Sequence, residues 1–263
     1  MTTPIETATP PAPASPGPRP VPFLRLVAVE LRKQTDTRAG RWLLAVVVLL
    51  SAGLIAVHLV VAEPADLTWQ ELSLTASFGQ VLLLPLLGIM AATAEWSQRT
   101  ALTTFVLEPR RTRVHVAKLA AAGALGVVVT AAAAAVGAVA NVLGMFWRDG
   151  AGDWTLDAGA TAGSAVAFLL LVAQGVAFGL ALLNTPAAIV AYLALPTAWS
   201  VLGLLVPRLT EPAQWLDMNM ALLPLMGGEL TGPQAARLAT SVAVWVALPL
   251  AVGLWRTARR EVS

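Results

Sequence analysis

Long apolar runs, separated by short polar segments, dominate the chain from residue 42 onward. A transmembrane helix needs about 20 mainly apolar residues to cross about 30 Å of hydrocarbon. Six runs approach or reach this length, and we predict a membrane span for each of them. They cover residues 42–62, 72–94, 117–146, 161–183, 187–206 and 239–255, and the last is of full length only if residues from 235 onward join it. The pattern therefore predicts an all-α, polytopic membrane protein with six transmembrane helices.

The segment before the first span has two parts. Residues 1–22 are rich in proline, alanine and threonine, so they cannot bury a core, and we expect a disordered tail. Residues 23–41 lead into the membrane as an amphipathic N-terminal helix, whose apolar positions Leu24, Val27, Ala28 and Leu31 follow helical spacing. Basic residues surround this stripe, which favours a helix lying in the membrane interface. The alternative is a simple cytoplasmic flank of the first span.

Two further breaks shape the second half of the chain. Asn184, Thr185 and Pro186 separate spans four and five, which together are far too long for one crossing. Residues 207–237 form the longest outer segment, and within it the apolar run 220–226 ends at Gly227 and Gly228. That run is too short to span the bilayer. We predict a short re-entrant or interfacial outer segment between spans five and six.

Basic residues are distributed unequally between the two ends of the predicted spans. All but three of the 17 lysines and arginines lie before the first span, between spans two and three, or after the sixth. The exceptions are Arg148, Arg208 and Arg237. Because short cytoplasmic segments carry the excess of lysine and arginine, this pattern predicts that both termini are cytoplasmic. We expect a multi-pass protein of the bacterial plasma membrane.

Composition narrows the possible functions. The chain is 57% hydrophobic and 12% charged, compared with about 25% charged residues in soluble domains. Its net charge of +2 comes from basic residues beside apolar runs, so nucleic acid is not an expected partner. It has no cysteine and only two histidines, which excludes thiolate chemistry and leaves little for a metal site.

The loop between spans two and three, residues 95–117, has the most informative sequence. Glu95 ends the second span, and residues 98–107 are predicted to form a short helix with Leu102, Phe105 and Val106 on one face. Pro109 ends that helix. The positions in this loop to which we assign a functional role are Glu95, Arg99, Thr100, Leu102, Phe105, Pro109, Arg110, Arg111 and Lys118.

This loop resembles the permease subunits of bacterial ATP-binding-cassette exporters of the type-two export class. In that family an acidic residue ends the second span, Gly-Thr and a short amphipathic helix follow, and Pro-x-Arg and a lysine lead into the third span. Glu95, Thr100, Pro109, Arg111 and Lys118 match this pattern. Arg99 stands where the family usually has glycine. The layout is also similar, with an amphipathic N-terminal helix, six spans and an apolar outer segment.

The resemblance implies a permease for multidrug or natural-product efflux, whose loop docks on a separate cassette ATPase. Two ATPase copies, a second permease subunit in a homo- or heterodimer, and the lipid membrane are the implied partners. No cofactor is expected on this chain, and ATP and Mg are expected on the ATPase. Glu95 is expected to pair with an arginine of the loop or the N-terminal helix.

Motif searches support a permease without an enzymatic site of its own. The sequence has no G-x-x-x-x-G-K-[ST] phosphate loop, no H-E-x-x-H and no G-x-S-x-G. Ion-coupled carriers usually keep ionisable residues within their spans, where His58 is the one candidate here. A secondary transporter, a membrane lipid transferase and a non-catalytic scaffold remain the alternatives.

Overall fold

The computed structural model describes residues 21–108 and 110–259, except the side chain of Phe105. Every regular element in these residues is helical. Six helices are long and apolar enough to cross a membrane, which confirms the predicted all-α, polytopic fold. Of the predicted N-terminal tail, only residues 21 and 22 belong to the described part.

The helices follow one another with short connections. The first five are α1 (Phe23–Asp36), α2 (Arg38–Val61), α3 (Trp69–Ser97), α4 (Ala101–Leu107) and α5 (Arg111–Arg148). The next four are α6 (Ala158–Leu182), α7 (Thr185–Leu205), α8 (Thr210–Leu216) and α9 (Met218–Met226). The last span consists of α10 (Gly232–Val242), a π-helical turn (Ala243–Ala247) and α11 (Leu248–Arg259). Short 3₁₀ turns occupy Pro64–Asp66 and Pro207–Leu209.

Helices α3 and α6 form the centre of the bundle. In their most apolar windows 56% and 61% of residues are buried, against 17% in α7. Helices α2 and α5 pack against α3, while α7, α9 and α11 pack against α6. The peripheral helices α2, α5 and α7 therefore expose apolar side chains outward, as membrane spans do.

Small residues allow the two central helices to approach closely. A Cβ atom at Gly175 of α6 would lie 2.0 Å from the carbonyl oxygen of Pro85 in α3. A Cβ at Gly88 of α3 would lie 2.4 Å from the carbonyl oxygen of Val172. Helices in membranes associate through such close backbone packing. Gly88 and Gly175 therefore form a packing seam between α3 and α6 within the subunit.

The start of α5 and the ends of α6 and α11 lie together on the side of the bundle that carries Arg111 and Arg256, and we call this side the basic end. Arginine side chains join these helix ends by donating to backbone carbonyl groups. Arg111 at the start of α5 donates to the carbonyl of Thr257 in α11. Arg256 of α11 donates to the carbonyl of Ala181 at the end of α6. Cationic side chains near helix C-termini bind the carbonyls that have no intrahelical partner. The ends of α5, α6 and α11 are therefore held together at one side of the bundle.

The break between spans four and five lies where the sequence predicted it. Leu183 adopts a left-handed conformation with φ of 54° and ends α6. The Asn184 side chain then accepts a hydrogen bond from the backbone of Ala187 and caps α7. Pro186 fits the first turn of α7, where its missing N–H is not needed.

Helix α1 packs against the bundle mainly through polar residues, and much of its apolar stripe stays exposed. Leu24 is 81% exposed, and Ala28 is exposed as well. The buried residues are Glu30 and Gln34, with Leu31 partly buried beside them. The exposed apolar residues are compatible with the predicted interfacial helix, while polar groups carry part of the contact with the bundle.

Candidate functional site

Four charged side chains meet at the basic end. The Lys118 ammonium donates to Glu95 Oε1 at 2.5 Å and to Glu30 Oε2 at 2.7 Å. The Lys33 ammonium donates to Glu30 Oε1 at 2.6 Å and to Glu95 Oε1 at 3.0 Å. Two carboxylates and two ammonium groups thus alternate around a closed ring, which we call the charge cluster. Its formal charges sum to zero.

The charge cluster joins three helices. Glu30 and Lys33 lie three residues apart on α1, so they face the same side of the helix. Glu95 lies in the last turn of α3, and Lys118 lies two turns into α5. Each carboxylate binds both lysines, so no two of the helices can separate without breaking an ion pair.

Most of the charge cluster is inaccessible to water. The side chain of Lys118 is 1% exposed, those of Glu95 and Glu30 are 4% and 6% exposed, and that of Lys33 is 36% exposed. Burial alone would lower the pKa of Lys33, but the hydrogen bond to Glu30 and the charge of Glu95 outweigh it and raise this pKa. Buried charges are tolerated when they are paired and hydrogen-bonded, as they are here.

A tight turn links α3 to α4 directly after Glu95. Arg99 adopts φ of 57°, in the left-handed region that favours glycine. The backbone N–H of Thr100 donates to the carbonyl of Glu95 at 2.8 Å, the bond that defines a Schellman end of a helix. The resemblance placed glycine at position 99 in related permeases, and the backbone here has the conformation that would favour it.

Helix α4 starts later than the sequence predicted. It begins at Ala101 rather than at residue 98, because residues 98–100 form the turn out of α3. Ala101 is buried, while Leu102 and Val106 are 53% and 70% exposed. Phe105 belongs to α4, but its side chain lies outside the described part of the chain.

The opposite side of α4 faces α1 across a groove of about 470 Å³. Thr103, Thr104 and Leu107 line the groove from α4, and Leu26 and Val29 line it from α1. Leu102 and Val106 are not among the lining residues, so they point away from α1. The helix thus has one face toward its own subunit and one apolar face with no partner among the described residues.

The connection from α4 to α5 is held by a second ion pair. Arg113 donates to Glu108 Oε2 at 2.8 Å, and Glu108 is 5% exposed. The other guanidinium nitrogen of Arg113 donates to the carbonyl of Val21, before α1. Arg110 is exposed at the start of α5. Pro109 lies outside the described residues.

The structure brings together some of the predicted site residues and not others. Glu95 and Lys118 belong to the charge cluster, while Arg99 and Thr100 form the adjacent turn. Leu102 lies on the outward face of α4, and Arg111 reaches α11. The predicted arginine partner of Glu95 was wrong, because both of its partners are lysines.

Sequence reasoning missed Glu30 and Lys33 as members of the charge cluster, and it missed Glu108. A signal for Glu30 was present, since it is a carboxylate beside the apolar stripe of a basic helix. An acidic residue in that setting is expected to need a cationic partner. Its partner Lys118 is 88 residues away, however, and one sequence gives no means of pairing them.

No protein-family model matches the chain, and no curated protein matches it.

Proposed function

We propose that this chain is the membrane-spanning permease subunit of an ATP-binding-cassette exporter, and that α4 is its contact with a separate ATPase subunit. The observation that carries the proposal is the outward apolar face of α4, on which Leu102 and Val106 are exposed at the basic end. A short helix with an exposed apolar face suits insertion into a groove of another protein. Large exposed apolar residues outside the spans favour such a contact.

The surroundings of α4 are suited to transmitting force. The Schellman turn joins α4 to the end of α3, and the Glu108–Arg113 pair braces its other end. The Schellman turn therefore links α4 to α3, and the charge cluster links α3 to α1 and α5. Packed side chains and ion-pair networks of this kind can carry coupling between sites.

The ATPase would supply the nucleotide chemistry. The sequence has no phosphate loop, so ATP and Mg are assigned to the partner subunit. The arginine-rich basic end then faces the cytoplasm of a bacterial cell, with both termini on that side. Two ATPase copies and a second permease subunit complete the proposed assembly.

The location of the charges distinguishes this proposal from an ion-coupled carrier. Proton and ion pathways usually place carboxylates or histidines in the middle of the spans. Here the buried carboxylates Glu30 and Glu95 lie at the basic end and are both neutralised by lysines. This arrangement suits a structural joint better than a titrating relay.

Co-purification tests the proposal. We would express the chain with cassette ATPases of its source organism, isolate the complex in detergent and measure ATP hydrolysis. The wild-type chain should retain the ATPase, and Val106→Glu should lose it, because a charge would enter an apolar contact. An interface anchor typically contributes about 2 kcal/mol or more, so the loss should be at least about 30-fold in affinity.

The matched control is Leu107→Glu. Leu107 is the next residue of the same helix and is 73% exposed, but it lines the groove toward α1. This variant should keep the ATPase. If wild-type chain and ATPase never co-purify, the proposed function is wrong. If the two glutamates have equal effects, α4 does not dock through its outward face.

A further inference from the structure

A second cavity lies within the membrane-spanning part of the bundle, away from the charge cluster. It has a volume of about 260 Å³ and lies between α3, α6, α7 and α9. Its lining includes Phe78, Gln174, Tyr192, Thr197, Met218 and Asn219. Several of these side chains can form hydrogen bonds, which is unusual inside spans that are otherwise almost entirely apolar.

Gln174 is the most informative of the lining residues. It is 2% exposed as a residue, and its amide forms no hydrogen bond with residues 21–108 and 110–259 but stays accessible from the cavity that it lines. By contrast, Gln80 is also buried, but it donates to the carbonyl of Val129 and accepts from the Thr130 hydroxyl. Buried amides are normally hydrogen-bonded, since leaving one unpaired is costly. An unpaired amide at the wall of a cavity therefore points to a ligand that completes it.

Three aromatic side chains in contact with one another connect the helices around the cavity. Trp245 stacks on Phe178 with ring centres 6.5 Å apart, and Phe178 meets Tyr192 edge-on at 6.1 Å. The Trp245 indole N–H donates to the carbonyl of Leu216, just before α9. Trp245 is thus connected to the Tyr192 wall through Phe178, and it also contacts the segment just before the helix that supplies Met218. It lies in the π-helical turn, a feature often found at functional sites.

The cavity carries no formal charge. None of its lining residues is aspartate, glutamate, lysine, arginine or histidine. Asp217 precedes Met218, but its carboxylate accepts hydrogen bonds from the Ser200 hydroxyl at 2.7 Å and from the backbone of Met220 at 3.1 Å. A charged ligand would lose its hydration here without gaining a counter-ion. An uncharged ligand with an aromatic or apolar body and a hydrogen-bonding group fits the lining.

We infer that this cavity binds a neutral, aromatic or apolar molecule whose polar group hydrogen-bonds to Gln174. Resting on the proposed function, we assign the molecule as the exported cargo. Phe78 and Tyr192 supply ring contacts, and Gln174 supplies the directional contact. A pocket with mainly apolar walls and few convergent polar groups is the usual form of a small-molecule site.

Benzophenone is a suitable probe, because it is neutral and aromatic, has one carbonyl acceptor and forms covalent bonds when irradiated. We would irradiate the purified full chain in lipid nanodiscs with tritiated benzophenone and map the labelled residues by mass spectrometry. Excess unlabelled benzophenone, added before irradiation, separates saturable labelling from partition into lipid. Saturable labelling is expected at Met218 and Tyr192. The anionic analogue 4-benzoylbenzoate and a trimethylammonium analogue should not compete.

Three variants test the cavity and the role assigned to Gln174 within it. Gln174→Leu removes the hydrogen bond and should weaken saturable labelling about fivefold, the usual effect of losing one net hydrogen bond. Asn219→Ala changes an exposed lining residue without disturbing the core, and should also weaken labelling. Gln80→Leu removes a buried amide that does not line the cavity and should leave labelling unchanged.

Absence of saturable labelling at Met218 and Tyr192 would overturn the inference. So would equal labelling of wild type and Gln174→Leu, or full competition by the charged analogues. The measurement needs no ATPase, so its failure would leave the proposed docking through α4 intact. Conversely, saturable labelling in a chain that never binds an ATPase would retain the site and reject the proposed function.

Discussion

Replacing Lys118 by methionine tests whether the charge cluster holds the basic end together. Methionine fills a similar volume but removes the ammonium that binds Glu30 and Glu95 at 2.7 and 2.5 Å. The two carboxylates would stay buried, at 6% and 4% exposure, with only Lys33 to neutralise them. Removing one partner of a buried ion pair typically costs about 3–5 kcal/mol. Because Lys33 stays in place, we expect about 3 kcal/mol.

The assay is thermal unfolding of the purified chain in detergent. For chains of about 150–250 residues, each kcal/mol changes Tm by about 2–4 °C, so a loss of about 3 kcal/mol predicts a fall of about 6–12 °C. Lys33→Met is the matched control, since it removes the other lysine of the same cluster. Its side chain is 36% exposed, and ion pairs of that exposure contribute about 0–1 kcal/mol.

A double variant separates the ion pair from a general effect of mutation. In Lys118→Met with Glu95→Gln, one positive and one negative charge are removed together, and Glu30 keeps Lys33. The double variant should therefore lose less stability than the two single variants combined, by at least about 1 kcal/mol. A Tm of Lys118→Met equal to that of wild type, or equal to that of Lys33→Met, would refute the reasoning.

Four other predictions follow from individual residues. Gly175→Ala should cost about 1–3 kcal/mol, because its Cβ would lie 2.0 Å from a carbonyl oxygen, whereas Gly53→Ala, with open space around it, should not destabilise the chain in the same unfolding assay. Arg99→Gly should stabilise by up to about 1 kcal/mol, by relieving the left-handed backbone, and a drop in Tm would contradict this. Because the pKa of Lys33 is raised, its contribution to stability should be complete at neutral pH and should be lost as the pH rises through that raised pKa. The Tm of the wild-type chain should therefore fall more at alkaline pH than the Tm of Lys33→Met. In this cysteine-free chain Asp153→Cys should react with an impermeant thiol reagent added to intact cells, and protection of this position would reverse the proposed topology.

The spans were predictable from sequence because their signal is local and repeated. A long apolar segment crosses lipid as a helix, because its backbone N–H and C=O groups must all be hydrogen-bonded within the segment. Three residues, Asn184, Thr185 and Pro186, were enough to divide spans four and five, because Asn184 caps α7 and Pro186 suits its first turn. Helix ends shifted by a few residues, as for α3, which runs from Trp69 to Ser97 rather than from 72 to 94.

The charge cluster was not predictable, because its partners are distant in sequence. Glu95 and Lys118 were singled out through the resemblance, but their direct bond depends on how α3 packs against α5. Glu30 was hidden for another reason. The apolar stripe of α1 located the helix, but its contact with the bundle includes the ion pair between Glu30 and Lys118 of α5. Patterns of apolar residues carry no information about paired charges.

Helix α3 connects the two regions to which we assign functions. Its last turn holds Glu95 in the charge cluster and leads through the Arg99 turn into α4. Its outer half places Phe78 at the wall of the cavity. These positions are 17 residues apart, or about 26 Å along a helix with a rise of 1.5 Å per residue.

Close packing against α6 limits how α3 can move. The Gly175 and Gly88 contacts leave no space for α3 to slide past α6 without repacking the seam. Under the proposed function, force applied at α4 therefore displaces α3 and α6 as a pair. Helix α7 contributes Tyr192 to the cavity and is much less buried than α3 and α6, so we expect this wall, whose ring meets Phe178 of α6 edge-on, to shift relative to that pair. ATPase closure would then change the width of the cavity between α3 and α7. Docking of the ATPase on α4 would thereby change the ligand affinity of a cavity about 26 Å away along α3.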